Sequence, residues 1–103
     1  MSLTRRFNVT TIINVKYDWD EAKRAANLAK HGVDFALAED FAWNGALIVP
    51  DTRRDYGEPR FLAIGPIGAG LHVLVFTPRG ETVRIIGLRK ANDREVALYE
   101  TQT

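Results

Sequence analysis

The spacing of apolar residues changes along the chain from alternation to a helical period, and then back to alternation. Residues 12–17 alternate and are rich in β-branched side chains, which predicts a strand. Apolar positions three and four residues apart predict a helix over residues 20–30 and a shorter one that begins at Asp34. A last helix is predicted to begin at Asn92. Between these helices lie four further predicted strands, at residues 46–50, 60–67, 71–77 and 82–90.

The ends of the first helix are marked by residues that satisfy free backbone groups. Asp18 and Glu21 have the spacing of a capping box, and Asp20 is an alternative N-cap. Gly32 is the expected left-handed terminator. The helix also carries one apolar stripe, which predicts that it packs against a sheet. This stripe consists of Ala22, Ala25, Ala26 and Ala29.

The predicted order β-α-α-β-β-β-β-α indicates an α+β fold. Short turns between consecutive strands imply a mainly antiparallel sheet, and the helices before and after it are expected to pack on one face. A chain of 103 residues has room for one hydrophobic core. We therefore expect a single domain, with residues 1–14 as an N-terminal extension.

A hairpin joins the last two predicted strands, and its register decides where their basic side chains point. The Pro-Arg-Gly-Glu segment between these strands has the composition of a hairpin loop. A four-residue loop there pairs Thr77 with Thr82. Because side chains alternate between the two faces of a strand, this register predicts Arg89 on one face, with Arg84 and Lys90 on the other.

Composition excludes several classes of protein. The chain has no cysteine, so a disulfide scaffold, a thiolate metal site and a cysteine nucleophile are excluded. No apolar run is long enough to span a bilayer, and no signal-peptide pattern follows the N-terminus, so we expect a cytoplasmic protein. His31 and His72 are the only histidines, and no carboxylate lies at ligand spacing to either. We therefore expect neither a metal site nor a cofactor.

Basic residues are concentrated in the second half of the chain. The net charge is only +1, but residues 53–94 contain eight basic and four acidic residues, a local excess of +4. Most of the basic residues are arginines, whose planar fork of donors matches phosphate oxygens. A solvated strand surface would explain the same excess. Taken alone, the residues predict a small α+β domain with an arginine-rich sheet that binds RNA.

Cleavage of RNA without a metal is the chemistry that these residue types allow. RNA supplies its own nucleophile, the 2′-hydroxyl, so a protein needs a base, cations that stabilise the phosphorane, and an acid for the leaving oxygen. Arg84 and Arg89 interrupt apolar strands and need a phosphate or carboxylate partner. Other candidates also have structural explanations: helix capping for Lys30 and His31, an ion pair for Glu58, and solvent exposure for Arg79.

The sequence resembles the BrnT family of type II toxins over about residues 15–100. The most specific stretches are Lys-His-Gly-Val-Asp-Phe at residues 30–35 and Arg-Lys-Ala at residues 89–91. Tyr-Asp-Trp-Asp-Glu-Ala-Lys at residues 17–23 and Tyr-Gly-Glu at residues 56–58 also match the family pattern.

This resemblance implies a RelE-like fold and a prokaryotic ribonuclease that inhibits translation, acting on free or ribosome-bound RNA. It also implies a cognate antitoxin, through which alone the protein would contact operator DNA. The arginines of the implied site would bind phosphate, and the base would be Glu58 or His31. The implied catalytic residues are Glu58, Arg60, Arg79, Arg84 and Arg89, and the implied RNA-binding residues are Lys30, His31, Arg53 and Lys90.

One position departs from the family pattern. Gly87 stands where the family usually has serine or threonine, so a hydroxyl that could hydrogen-bond to phosphate is missing. Two hypotheses follow: an active ribonuclease, or a catalytically weak or inactive module that still binds RNA or its antitoxin. A third is a structural or regulatory α+β domain that forms half of a homodimer.

Overall fold

The computed structural model of the protein describes residues 15–102. No helix in this part of the chain is long and apolar enough to cross a membrane. The predicted start of the first strand at residue 12 and the predicted extension over residues 1–14 lie outside the described residues. In chain order, the elements are β1 (Lys16–Trp19), α1 (Glu21–His31), a 3₁₀ helix (Phe35–Asp40), β2 (Leu47–Pro50), β3 (Phe61–Ile67), β4 (Gly70–Arg79), β5 (Thr82–Lys90) and α2 (Asp93–Gln102).

The five strands form one mixed sheet in the order β1-β5-β4-β3-β2. Neighbouring strands from β2 to β5 pair antiparallel, as their short connections predicted. β1 instead pairs parallel to β5, with Lys16 opposite Thr82. The order of elements agrees with the prediction, except that the second helix is a 3₁₀ helix. The α+β fold class is therefore confirmed.

The two sides of the sheet carry separate apolar cores, so the prediction that all helices pack on one face is wrong. Phe35 of the 3₁₀ helix belongs to the same buried cluster as Leu74. Tyr99 of α2 packs instead against the cluster that contains Ile64 and Val73. Because successive residues of a strand point to opposite faces, Val73 and Leu74 lie on opposite sides of the sheet.

α1 lies along the edge of β5 instead of on a face of the sheet. Asp20 is its N-cap and accepts a hydrogen bond from the backbone N–H of Lys23 at 3.0 Å. Gly32 ends it in the left-handed conformation, with a φ of 71°. None of its residues is buried, so the predicted packing of its alanine stripe on the sheet is wrong.

Asn27 joins α1 to β5 through its side-chain amide. β1 ends opposite Ile85, and beyond that point Asn27 takes the place of a strand. Its Nδ2 donates to the carbonyl oxygen of Leu88 at 2.7 Å, and its Oδ1 accepts from the backbone N–H of Leu88 at 3.2 Å. Nδ2 also donates to the carbonyl oxygen of Val33 at 3.0 Å. The backbone groups that an edge strand leaves open are thereby satisfied.

The hairpin between β4 and β5 has a tighter turn than the sequence predicted. Arg79 pairs with Thr82, so the turn consists of Gly80 and Glu81. Gly80 has a φ of 60°, as the turns of two-residue hairpins require. The predicted four-residue loop, with Thr77 opposite Thr82, is therefore wrong.

A bulge in β5 moves Arg89 onto the face that carries Arg84. The pairing with β4 shifts by one residue and leaves Ile86 as the extra residue. Arg84 pairs with Thr77 and Arg89 pairs with Val73. Since Thr77 and Val73 are four residues apart on β4, both arginines lie on the same face. The prediction that they lie on opposite faces is wrong because strict alternation fails at the bulge.

Candidate functional site

A cationic cleft of about 340 Å³ lies between α1 and β5. Its walls combine residues of α1, of β4 and β5, and of the segment between β2 and β3, and none of them is a carboxylate. A lining of this kind attracts phosphate groups. Among residues 15–102, no group of three or more His, Asp or Glu is arranged to hold a metal ion. The basic residues of the cleft are Lys23, Lys30, His31, Arg53, Arg60 and Arg89.

α1 contributes more of this cleft than the sequence predicted. Lys23, Asn27 and Lys30 all line it, and their spacing of four and then three residues places them on one face of a helix. Sequence reasoning missed Lys23 and Asn27 as site residues, although this spacing was visible. Five of the nine predicted site residues line the cleft, namely Lys30, His31, Arg53, Arg60 and Arg89.

Arg89 is fixed by Glu95 of α2. Its Nη1 and Nη2 donate to the two carboxylate oxygens of Glu95 at 2.7 and 2.8 Å. These hydrogen bonds raise the pKa of Arg89 and lower the pKa of Glu95, since each stabilises the charged forms of both groups. Arg89 therefore remains cationic at the wall of the cleft and has further N–H groups to offer a ligand.

Arg53 is anchored in a similar way by Asp51. Its Nε and Nη2 each donate to the Asp51 carboxylate at 2.8 Å, and the Tyr56 hydroxyl donates to the same carboxylate at 3.2 Å. The Asp51 side chain is 1% exposed, whereas that of Arg53 is 67% exposed. Arg53 and Arg89 line the same cleft, and the charge of Arg53 partly opposes the rise in the pKa of Arg89 that Glu95 causes.

The Asp51–Arg53 pair predicts a specific acid sensitivity. Hydrogen bonds from Arg53 lower the pKa of Asp51 to about 2. The pKa of Asp51 in the unfolded chain is near 4, so the ionised carboxylate stabilises the fold at pH values above about 4. This stability is lost as the pH falls towards 2. Asp51→Asn should therefore lower the free energy of unfolding by about 1–2 kcal/mol at pH 7, an amount limited by the exposure of Arg53.

Urea unfolding at pH 7 and pH 2.5 checks this expectation. The difference in free energy of unfolding between wild type and Asp51→Asn should shrink at the lower pH, because Asp51 is then mostly protonated in the unfolded chain and begins to be protonated in the folded chain. A difference of equal size at both pH values would contradict an ionised Asp51 as its cause.

Arg60 lies between the cationic cleft and a second cleft of about 410 Å³. Its guanidinium lies 4.0 Å from the centre of the Tyr56 ring, and its Nη2 lies 3.6 Å from a carboxylate oxygen of Glu58. Its Nε is buried and has no hydrogen-bond partner among the described residues. A buried donor without an acceptor is energetically unfavourable.

The other four predicted site residues lie outside the cationic cleft. Glu58 lines the second cleft and accepts a hydrogen bond from Arg79 at 3.4 Å. Arg84 forms an ion pair with Asp18 at 3.4 Å, so a carboxylate of this chain is the partner that its position required. Lys90 is exposed on the opposite face of β5 from Arg89 and does not line the cationic cleft.

Gly87 lines the cleft next to Asn27. A Cβ built at this position would lie 3.7 Å from the Asn27 Oδ1 and 3.7 Å from the nearest side-chain carbon of Val75, which are ordinary contact distances. Packing therefore leaves room for a small side chain at residue 87. The fold itself does not require the hydroxyl to be absent.

A family model described as "Ribonuclease toxin, BrnT, of type II toxin-antitoxin system" matches residues 19–95. This chain belongs to the BrnT family. A search of curated proteins finds no match to it.

The BrnT match confirms the resemblance that the sequence suggested, and it includes the residues that line the cationic cleft. It also includes Glu95, which holds Arg89. The BrnT family consists of ribonuclease toxins of type II toxin–antitoxin systems, so RNA is the implied substrate and a cognate antitoxin the implied partner.

Proposed function

We propose that this BrnT chain cleaves RNA in the cationic cleft without a metal ion. The observation that carries the proposal is the lining of the cleft, which combines five Lys or Arg side chains with one histidine and contains no carboxylate. Such a surface attracts an RNA backbone and can stabilise the additional negative charge of a phosphorane.

The reaction uses the 2′-hydroxyl of the RNA as nucleophile. His31 accepts the proton of this hydroxyl, the 2′-oxygen bonds to phosphorus, and the bond from phosphorus to the 5′-oxygen breaks. Lys30 supplies the proton that the leaving 5′-oxygen requires. Arg60 and Arg89 donate hydrogen bonds to the phosphorane oxygens, and Arg53 binds a neighbouring phosphate.

His31 is a better candidate than Glu58 for the base. It lines the same cleft as Arg60 and Arg89. The Glu58 carboxylate lies between Arg60 and Arg79, at 3.6 and 3.4 Å, and lines the second cleft instead. Imidazole is also the side chain that most often serves as a general base in enzymes.

The family match supports a cellular role as a ribonuclease toxin. The chain would act in the cytoplasm as a single RelE-like domain over residues 1–103 and would inhibit translation by cutting free or ribosome-bound mRNA. A cognate antitoxin would neutralise it, and contact with operator DNA would occur only through that antitoxin.

A defined RNA oligonucleotide tests the activity. The purified protein should cleave it in the presence of EDTA and leave a 2′,3′-cyclic phosphate, because the 2′-oxygen is the nucleophile. Replacing the ribose at the cleaved position with 2′-deoxyribose should abolish cleavage there. Cleavage that requires a divalent cation, or cleavage of DNA, would refute the proposal.

Binding without catalysis is the second candidate function. The observation that favours it is Gly87, which lines the cleft and offers no hydroxyl to a phosphate. In that case, the protein would bind the RNA with an affinity that falls steeply with salt, as phosphate contacts require, but leave it intact. Expression without the antitoxin would then be harmless to the cell.

A further inference from the structure

The N-terminus of α2 is connected to the cleft through the Glu95 side chain. Its carboxylate accepts hydrogen bonds from both terminal nitrogens of Arg89, at 2.7 and 2.8 Å. The same carboxylate accepts the backbone N–H of Asn92 at 2.9 Å, while the Asn92 side chain accepts the backbone N–H of Glu95 at 2.8 Å. This is a capping box, and within it the backbone N–H of Asn92 holds the Glu95 side chain in one orientation. The Glu95 side chain is only 14% exposed.

The contact with Glu95 leaves one edge of the Arg89 guanidinium available. A guanidinium has five N–H groups, and a second anion can bind while the two terminal nitrogens hold a carboxylate. Within residues 15–102, the terminal nitrogens of Arg89 donate to Glu95 and, in a long contact of 3.4 Å, to the carbonyl oxygen of Lys90. The Nε of Arg89 takes part in none of these hydrogen bonds. Arg89 itself lines the cleft.

We propose that Glu95 is a positioning residue for RNA cleavage. It holds Arg89 by its terminal nitrogens, so that the edge formed by Nε and one terminal nitrogen is presented to a phosphate in the cleft. This inference rests on the proposed function. Without Glu95, Arg89 would sample several rotamers and would have to be ordered again in each transition state, which lowers kcat more than it weakens RNA binding.

Glu95→Gln separates this role from a contribution to folding. Glutamine also serves at this position of a capping box, so α2 keeps its cap while the charged two-bond contact with Arg89 is lost. We expect kcat to fall about 10-fold and KM to change less than 3-fold. Asn92→Ala is the matched control, because it weakens the cap of α2 but retains the Glu95 carboxylate, and it should leave kcat within about 2-fold of wild type.

A double-variant comparison shows whether Glu95 acts through Arg89. In an Arg89→Ala background, adding Glu95→Gln should produce no further loss of activity. An equal loss in both backgrounds would overturn the proposal, as would an increase in activity in Glu95→Gln alone. An increase would mean that Glu95 competes with phosphate for Arg89.

NMR of arginine side chains provides a readout that does not depend on catalysis. In the wild type, titration with inorganic phosphate should shift the Nε–H resonance of Arg89, and in Glu95→Gln the same titration should shift it several-fold less. If the wild type does not cleave RNA but shows this difference, the proposed reaction fails, while the positioning of Arg89 for phosphate binding by Glu95 stands. Equal shifts in the two proteins would refute the positioning role.

Discussion

Arg89→Ala is expected to lower the rate of RNA cleavage about 100- to 1,000-fold, the effect of removing one preorganised donor from a developing anion. Arg89 lines the cleft, keeps its charge through the contact with Glu95, and has donors that this contact does not use. Single-turnover cleavage of a labelled RNA measures the effect directly. Arg89→Lys should recover only part of the rate, because an ammonium group cannot reproduce the two-pronged contact of a guanidinium.

The controls for this variant must separate charge, folding and position. Arg94→Ala removes one cation from an exposed position of α2 that does not line the cleft, so its cleavage rate should stay within about 2-fold of wild type. Arg89→Ala leaves Glu95 without its partner, which destabilises the fold. The double variant Arg89→Ala/Glu95→Gln relieves that unpaired charge and should remain inactive. Recovery of activity in the double variant would show that the loss in Arg89→Ala came from misfolding.

Asn27→Ala is expected to lower the free energy of unfolding by about 2–3 kcal/mol, because it leaves buried or half-buried backbone groups without partners. The lost hydrogen bonds are those to both backbone groups of Leu88 and to the carbonyl oxygen of Val33. Urea unfolding followed by circular dichroism measures this change. The same variant should also lower cleavage, since Asn27 joins the two walls of the cleft.

Leu28→Ala is the matched control for this prediction. Leu28 neighbours Asn27 on α1, is 45% exposed, and does not line the cleft. Leucine and alanine have similar helix propensities, so the free energy of unfolding should change by less than about 0.5 kcal/mol. If Asn27→Ala and Leu28→Ala unfold at the same urea concentration, the amide of Asn27 does not hold α1 against β5.

Much of the local structure could be predicted because it depends on neighbouring residues. Gly32 ends α1 and Asp20 caps it, as two of the predicted signals indicated. Asp18, the other N-cap candidate, is not the cap. An N-cap depends on side-chain hydrogen bonds to the backbone within one turn of the helix. Sequence spacing therefore limits the N-cap candidates to one or two residues.

The candidate site was predictable in residue type but only partly in position. Arginine content pointed to phosphate binding, and Arg53, Arg60 and Arg89 do line one cleft. Lys90 does not, because its side chain points to the opposite face of β5 from that of Arg89. Glu95 was not predicted as a site residue, since a capping box already explains a glutamate at that position.

By itself, the sequence determined the α+β class, the order of the elements, the ends of α1 and the excess of arginine, because periodicity, capping and composition are properties of short stretches. Only the tertiary structure decided that Arg84 and Arg89 share a face and that Asn27 takes the place of a strand beside β5. The first depends on a single extra residue in β5, and the second on where β1 ends. Both are set by pairing between distant segments, whose energies no local pattern contains.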